Sequence, residues 1–361
     1  MRCLATFALS RRTRYRILLA IGFPLVFAVT LWSLALKPGA PPQTGEGDLG
    51  LFRAVVNGVR AGRLYYNVYG AESRTRGYPT RSLFNWRQPL LMRTLAVLPN
   101  LGGKVLLIAL AVTFLLQGYG LLRRELLGVV TVLNASIMAV VPGNFYFTEP
   151  WAGFCLGLSA IAYARRRETA GAGWALAALF IRELAAPYCV VAALFALSRR
   201  RWRELAIWTG GGALYALYFG AHVWQIGQHV MPGDQAHTHS WLYFGGLPFV
   251  AQVWRMNGIF TVVPVPLFAL VVVLGVAAWW APQMPWHVRA GVLTYSVLFL
   301  FVGLPFNTYW GDLIAPLVGL WLVHTPAALS TLWSWAELPR TLPDLTPRGV
   351  LALAPKSQAS E

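Results

Sequence analysis

Residues 101–124 read LGGKVLLIALAVTFLLQGYGLLRR. The apolar run over 101–122 stops at the pair Arg123-Arg124. At about 1.5 Å per helical residue, such a run crosses a hydrocarbon core of about 30 Å. The basic pair at its end marks the cytoplasmic side, because cytoplasmic loops collect Lys and Arg. Similar apolar stretches recur along all 361 residues, and the composition agrees with them. The chain is 57% hydrophobic, 14% aromatic and only 12% charged, where a soluble domain carries about 25% charged residues. The sequence therefore reads as an all-α, polytopic transmembrane helical bundle.

The net charge of +17 does not imply nucleic acid. The basic residues sit in short clusters between apolar runs, the pattern of cytoplasmic loops. Cys3, Cys155 and Cys189 show neither pairing nor metal-ligand spacing; the latter two read as small buried residues. Arg2, Arg11, Arg12, Arg14 and Arg16 precede an apolar run from Ile17 to Leu36. That run is too long for a signal-peptide core and lacks a clean small-residue cleavage site. It reads as a first membrane helix with its N-terminus in the cytoplasm.

Threading the chain from these anchors gives about ten spans. Residues 16–37 go out, and a long polar segment over 38–99 follows. Residues 101–122 come in, 126–146 go out, and 151–164 return to Arg165-Arg166-Arg167. Residues 170–197 lie between two basic clusters, the second at 199–203, so both ends are cytoplasmic. A charged pair in mid-span is costly, so the stretch Ile181-Arg-Glu-Leu-Ala-Ala-Pro187 is expected to separate two short helices. Residues 204–226 go out. Residues 227–258 are polar and His-bearing, with an interfacial stretch at 241–255. Residues 259–281 come in, 289–305 go out and 311–325 come in. One domain, 1–325, is followed by a cytoplasmic tail, 326–361, which places both termini inside. No internal repeat is evident. The expected location is a bacterial-type plasma membrane.

In this threading Glu46, Asp48, Glu72, Glu149, Glu183, Asp234 and Asp312 all fall on the outer side. The threading used only Lys and Arg, so the clustering of acids is a partly independent observation. Outer loops tolerate acids such as Glu72 and Asp234. Glu149, Glu183 and Asp312 are pressed by apolar sequence and read as acids of one outer pocket.

The segment 51–64, LFRAVVNGVRAGRL, carries an apolar stripe of Leu51, Val55, Val56, Val59 and Leu64. Arg53, Asn57, Arg60 and Arg63 fall opposite at helical spacing, which suits a helix lying in the membrane interface. With Arg74, Arg76, Arg81, Arg87 and Arg93 the segment holds eight arginines. An anionic ligand explains them, since the guanidinium fork matches phosphate oxygens; attraction to anionic lipid head groups is the alternative. Asn85, Arg87 and Gln88 in Phe84-Asn-Trp-Arg-Gln-Pro89 border the next apolar run and suit a polar head group.

These residues resemble the GT-C superfamily of membrane glycosyltransferases. Members have many helices, a long first outer loop with an interfacial helix, and a loosened D-x-D motif shortly after helix one. Here that motif reads Glu46-Gly-Asp48, within GEGDLG. Tyr65-Tyr66, Tyr69 and the 84–89 stretch look like the loop of polyprenyl-phosphate-mannose-type transferases. Thr148-Glu-Pro150 and Arg182-Glu183 fit the same likeness.

The resemblance implies transfer of a mannose-like hexose from a polyprenyl-phosphate donor to a glycan, lipid or protein acceptor at the outer face. Such transfer needs a base for the acceptor hydroxyl and cations for the leaving phosphate. Asp48 is the candidate base on a Gly-rich turn, with Glu46 as supporting acid or metal ligand. Arg81, Arg87 and Arg182 are the candidates for the donor phosphate. No metal site is evident, and a requirement for a divalent cation stays open. The partners are the lipid-linked sugar, the acceptor and membrane lipids, without nucleic acid.

His222, His229, His237 and His239 surround Asp234, but their spacing is poor for zinc. A loop that contacts the acceptor suits them better. Asn134-Ala-Ser136 matches a glycosylation sequon inside a span and is read as chance. Gly210-Gly-Gly212 suits close helix packing. No Gly-rich nucleotide signature follows a strand, which disfavours nucleotide sugars and ATP. A transporter or flippase of lipid-linked saccharide is a competing reading. It is weakened by charges lying at one face and by the absence of half-repeats. A surface-polysaccharide polymerase or ligase differs only in acceptor size. A sorting-type cysteine protease needs a His beside Cys189 and Arg182, and none is evident.

Overall fold

The computed structural model describes residues 10–36, 46–121, 126–237 and 240–337. Arg2, Cys3, the breaker run 37–42, Arg123-Arg124, His239 and the tail beyond 337 lie outside the described residues. Within them the chain is helical, with fifteen helices and no strand. They are α1 Arg11–Ala35, α2 Gly47–Arg60, α3 Tyr65–Thr75, α4 Pro89–Val97, α5 Asn100–Leu121, α6 Leu126–Ser136, α7 Thr148–Ala164, α8 Glu168–Ile181, α9 Ala186–Ser198, α10 Trp202–His229, α11 Gly246–Arg255, α12 Val265–Ala278, α13 Trp286–Phe301, α14 Gly311–Leu322 and α15 Thr325–Trp335.

By length and composition two of these, α1 and Asn100–Tyr119, are able to cross a membrane. Residues 307–322 and 325–335 make a third if that pair, bent by 49°, is one span. This is fewer than the expected ten, and the reason is local. Apolar runs continuous in sequence are cut by Gly, Pro and polar residues into short helices. The run 126–146 passes from α-helix to a 3₁₀ turn over Ile137–Ala139 and does not continue through Pro142 and Gly143, the latter with φ +85°.

The break expected near residue 182 is present. α8 stops at Ile181, Arg182 is extended (φ −148°, ψ 120°) and α9 starts at Ala186. The chain reverses there, since Arg201, just past α9, lies 3.6 Å from Glu168 at the start of α8. The basic clusters therefore meet at one end of the bundle. Arg165 Nη2 donates to the Gln117 carbonyl near the end of α5 (2.6 Å). Tyr163 stacks on His287 with ring centroids 3.6 Å apart. Buried Glu204 accepts from the Tyr163 hydroxyl (2.6 Å) and the Trp208 indole (3.2 Å), with Arg201 at 3.5 Å. Glu149, Glu183 and Asp312, which open α7, the hairpin turn and α14, lie at the opposite end.

α7 is the central helix, buried along nearly its whole length. Its small residues let neighbours approach closely. A Cβ at Gly153 would stand 2.6 Å from the Asp312 carbonyl oxygen and 2.8 Å from that of Leu313. Those are backbone atoms of α14 and cannot swing aside. Gly153→Ala is expected to cost about 1–3 kcal/mol of stability by overpacking, read as a lowered unfolding midpoint in detergent.

The amphipathic helix is α2, and it begins at Gly47, earlier than the stripe suggested. Leu51, Phe52, Val55 and Val56 are buried, while Arg53 and Asn57 face out. What covers the apolar face is protein: Tyr65, Tyr69, Leu91, Met92 and Leu95 from α3 and α4 share its cluster. An interfacial position is not needed to bury that stripe. Leu64 lies past the helix end and is exposed, so it leaves the stripe.

The arginines of this segment mostly have protein partners, which corrects the anionic-ligand explanation. Arg53 pairs with Glu46 and Arg76 with Glu72. Arg60 donates to the Leu95, Ala96 and Leu98 carbonyls, the orphan acceptors at the end of α4. Arg74 grips Asp234 with two hydrogen bonds, Nε–Oδ1 at 2.7 Å and Nη2–Oδ2 at 2.8 Å. That pair ties the 230–237 loop to α3. Arg74 holds the Asp234 carboxyl well below the usual carboxylate range. A depressed carboxylate stabilises in full above its unfolded value, about 3.9, and loses the contribution only as pH falls through the lower folded value. Limited proteolysis should therefore find this loop protected from pH 7 down to about 4. Asp234→Asn should expose it throughout that range.

Candidate functional site

A cavity of about 290 Å³ opens where the first turn of α2 faces the 78–87 loop, His237, Trp241 and the residues leading into α14. Its wall carries Asp48, Arg87, Tyr69, Tyr78, Asn85, His237, Trp241 and Tyr309, with Phe52 and Phe147. Asp48 stands in the first helical turn, not on a free turn, and that corrects the expectation for GEGDLG. Gly47, at φ +54°, permits the sharp entry into the helix. A carboxylate at a helix N-terminus is favoured by the peptide dipoles. The Tyr78 hydroxyl donates to Asp48 Oδ1 at 2.6 Å. Burial, with Asp48 beside it, pushes the Tyr78 phenol up, so it stays a donor. Asp48 Oδ2 accepts no hydrogen bond among the described residues.

Arg87 is 5% exposed. It donates from Nη1 to the Phe84 carbonyl (3.1 Å) and from Nη2 to the Tyr309 hydroxyl (2.8 Å). Its Nε has no acceptor among the described residues. The Tyr65 hydroxyl fixes the backbone by donating to the Arg87 carbonyl at 2.6 Å.

The other expected site residues are placed differently. Glu46 is spent on Arg53 at the exposed start of α2 and does not line the cavity. Arg81 is exposed and also outside the wall. Arg182 is buried beneath it: its Nε is 3.0 Å from Glu149 Oε1, and its Nη1 pairs with Glu183. It therefore neutralises two acids and is not available to a ligand. Glu149 is fully buried, 4.0 Å from Arg87 Nη2, and accepts from the Thr148 hydroxyl at 3.1 Å. Glu183 accepts from Gln88 Nε2 at 3.3 Å. Asp312 is buried nearby, its Oδ1 without a partner among the described residues. The three acids lie behind the cavity and do not line it, and Glu149 and Glu183 make a charged layer there with Arg182 and Arg87.

The histidines separate in space. His222 is buried against the Tyr66 hydroxyl (2.9 Å) and the Trp86 carbonyl (3.3 Å). His229 contacts Asn67 Oδ1 at 2.7 Å. Among the described histidines only His237 reaches the cavity. Among the described residues no group of three His, Cys, Asp or Glu is placed to hold a metal ion.

Tyr78, Trp241 and Tyr309 had no local signal beyond their aromatic character, whereas Tyr69 belonged to the loop pattern already noted. Asp48 meets Tyr78 only through the fold. A second cavity of about 350 Å³, lined by Trp254, Trp279, Trp280 and Trp321, has no charged residue in its wall and offers no comparable chemistry. Compared with protein families, with curated proteins and with solved structures, the chain finds no match.

Proposed function

We propose that this protein is a GT-C-like membrane glycosyltransferase that moves a mannose-like hexose from a polyprenyl-phosphate donor to a glycan, lipid or protein acceptor. The single observation that carries the reading is the wall shared by Asp48 and Arg87. A carboxylate whose Oδ1 is held by the Tyr78 hydroxyl and a guanidinium whose Nη2 is held by the Tyr309 hydroxyl line the same aromatic-walled space.

Each group has a role in one displacement. The acceptor hydroxyl oxygen attacks the anomeric carbon while Asp48 takes its proton. The bond from that carbon to the phosphate oxygen breaks, and its electron pair leaves on the phosphate, held by Arg87. The product glycoside has inverted configuration, and the polyprenyl phosphate stays in the lipid. The aromatic walls suit the apolar faces of a sugar ring. Glu46, Arg81 and Arg182 have no part in this version of the site.

In the same reading the chain is polytopic with about ten spans, both termini on the cytoplasmic side and the cavity on the outer face. The gathering of basic clusters at one end of the bundle and of Glu149, Glu183 and Asp312 at the other supports it. The test is transfer of label from radiolabelled polyprenyl-phosphate hexose in membranes that contain the protein. Label is expected to leave the donor lipid at a rate that follows protein abundance. A donor that is never consumed overturns the reading.

A further inference from the structure

We propose that His237 contacts the donor sugar, accepting a hydrogen bond from a ring hydroxyl through Nδ1. This rests on the transferase reading and adds a group that discriminates the sugar from its lipid carrier.

The argument begins at Pro79. Its carbonyl can only accept, so the Asn85 side-chain atom 2.7 Å away is the amide nitrogen. The other amide atom is then Oδ1, which also can only accept. It lies 2.9 Å from His237 Nε2, so that nitrogen must carry the proton. In a neutral imidazole the remaining nitrogen, Nδ1, keeps its lone pair. Burial holds His237 below its ordinary value, so the ring is neutral near pH 7. Nδ1 has no partner among the described residues, although the ring lines the cavity that holds Asp48 and Arg87.

The ring is also held in place. Trp241 meets it edge-on at 5.1 Å, and the Trp241 indole donates to the Ser82 hydroxyl at 3.0 Å. The Arg81 N–H donates to the Gln235 carbonyl at 3.0 Å, and Asp234 is gripped by Arg74. Loop and imidazole are thus positioned before any ligand arrives. A fixed acceptor beside a carboxylate and a guanidinium fits a neutral polyol attached to an anion.

The experiment compares polyprenyl phosphate with and without a mannose, binding to the purified full-length protein in detergent. His237→Gln retains an N–H for Asn85 and takes the acceptor off the position that Nδ1 occupies, its amide oxygen replacing the rigid ring nitrogen. It is expected to weaken the mannose-bearing lipid roughly 2–13-fold, the range for one net hydrogen bond, and to leave the bare phosphate lipid unchanged. Equal weakening of both lipids, or of neither, overturns the contact alone. Failure of the wild type to bind either lipid overturns the transferase reading and the contact with it. As an independent measurement, the ¹⁵N spectrum of the wild type near pH 7 should show His237 protonated at Nε2; protonation at Nδ1 overturns the proposal without any variant.

Discussion

Asp48→Asn is expected to lower transfer from polyprenyl-phosphate hexose by about 10²–10⁴-fold, the usual contribution of a positioned general base. Asparagine keeps the size of the side chain and still accepts from the Tyr78 hydroxyl. What it loses is the free carboxylate oxygen that receives the proton. The loss should fall on kcat, because the proton moves only in the transition state. Abundance in the membrane should be unchanged, since Asp48 belongs to the cavity wall and not to the charged layer behind it. If the variant transfers as well as wild type, Asp48 is not the base. His237 is then the group in the wall to test next, because Glu149 and Asp312 are buried outside it.

Glu149→Ala is expected to act in the opposite way, through stability. Glu149 is completely buried and lies between two buried guanidiniums, Arg182 at 3.0 Å and Arg87 at 4.0 Å. Removing it leaves two cations with one remaining carboxylate partner, Glu183. Stripping one member from a buried ion pair costs about 3–5 kcal/mol, most of it the penalty of an uncompensated buried charge. The readout is the unfolding midpoint in detergent, or abundance in membranes. Arg182→Ala should be similarly damaging because it leaves two carboxylates facing each other. The double variant Glu149→Ala/Arg182→Ala should lose less than the sum of the two, as expected for partners in contact. Additive losses would mean that the charged layer is not the unit described here.

Several features were legible in the residues. A period near 3.6 and a run of apolar side chains mark helices whatever covers them. The stripe Leu51, Val55 and Val56 therefore announced α2, and the charged pair Arg182-Glu183 announced the break between α8 and α9. The identity of the covering surface was not legible. An apolar stripe looks the same whether it meets lipid or the side chains of α3 and α4. Helix length was overestimated for a related reason: hydropathy counts apolar residues and is blind to where Gly143 or Pro142 ends the hydrogen-bond ladder.

By itself the sequence determined that the chain is helical, that its basic clusters fall between apolar runs, and that Asp48 and Arg87 flank one polar segment. These are local properties of composition and spacing. Only the tertiary structure decided which charges are spent. Glu46 goes to Arg53, Arg74 to Asp234, and Arg182 to Glu149 and Glu183, while Asp48 and Arg87 come together in the wall of one cavity. Pairing of charges depends on distances of a few ångströms between residues far apart in the chain, and burial raises the cost of each wrong pairing. No spacing rule along one dimension carries that information.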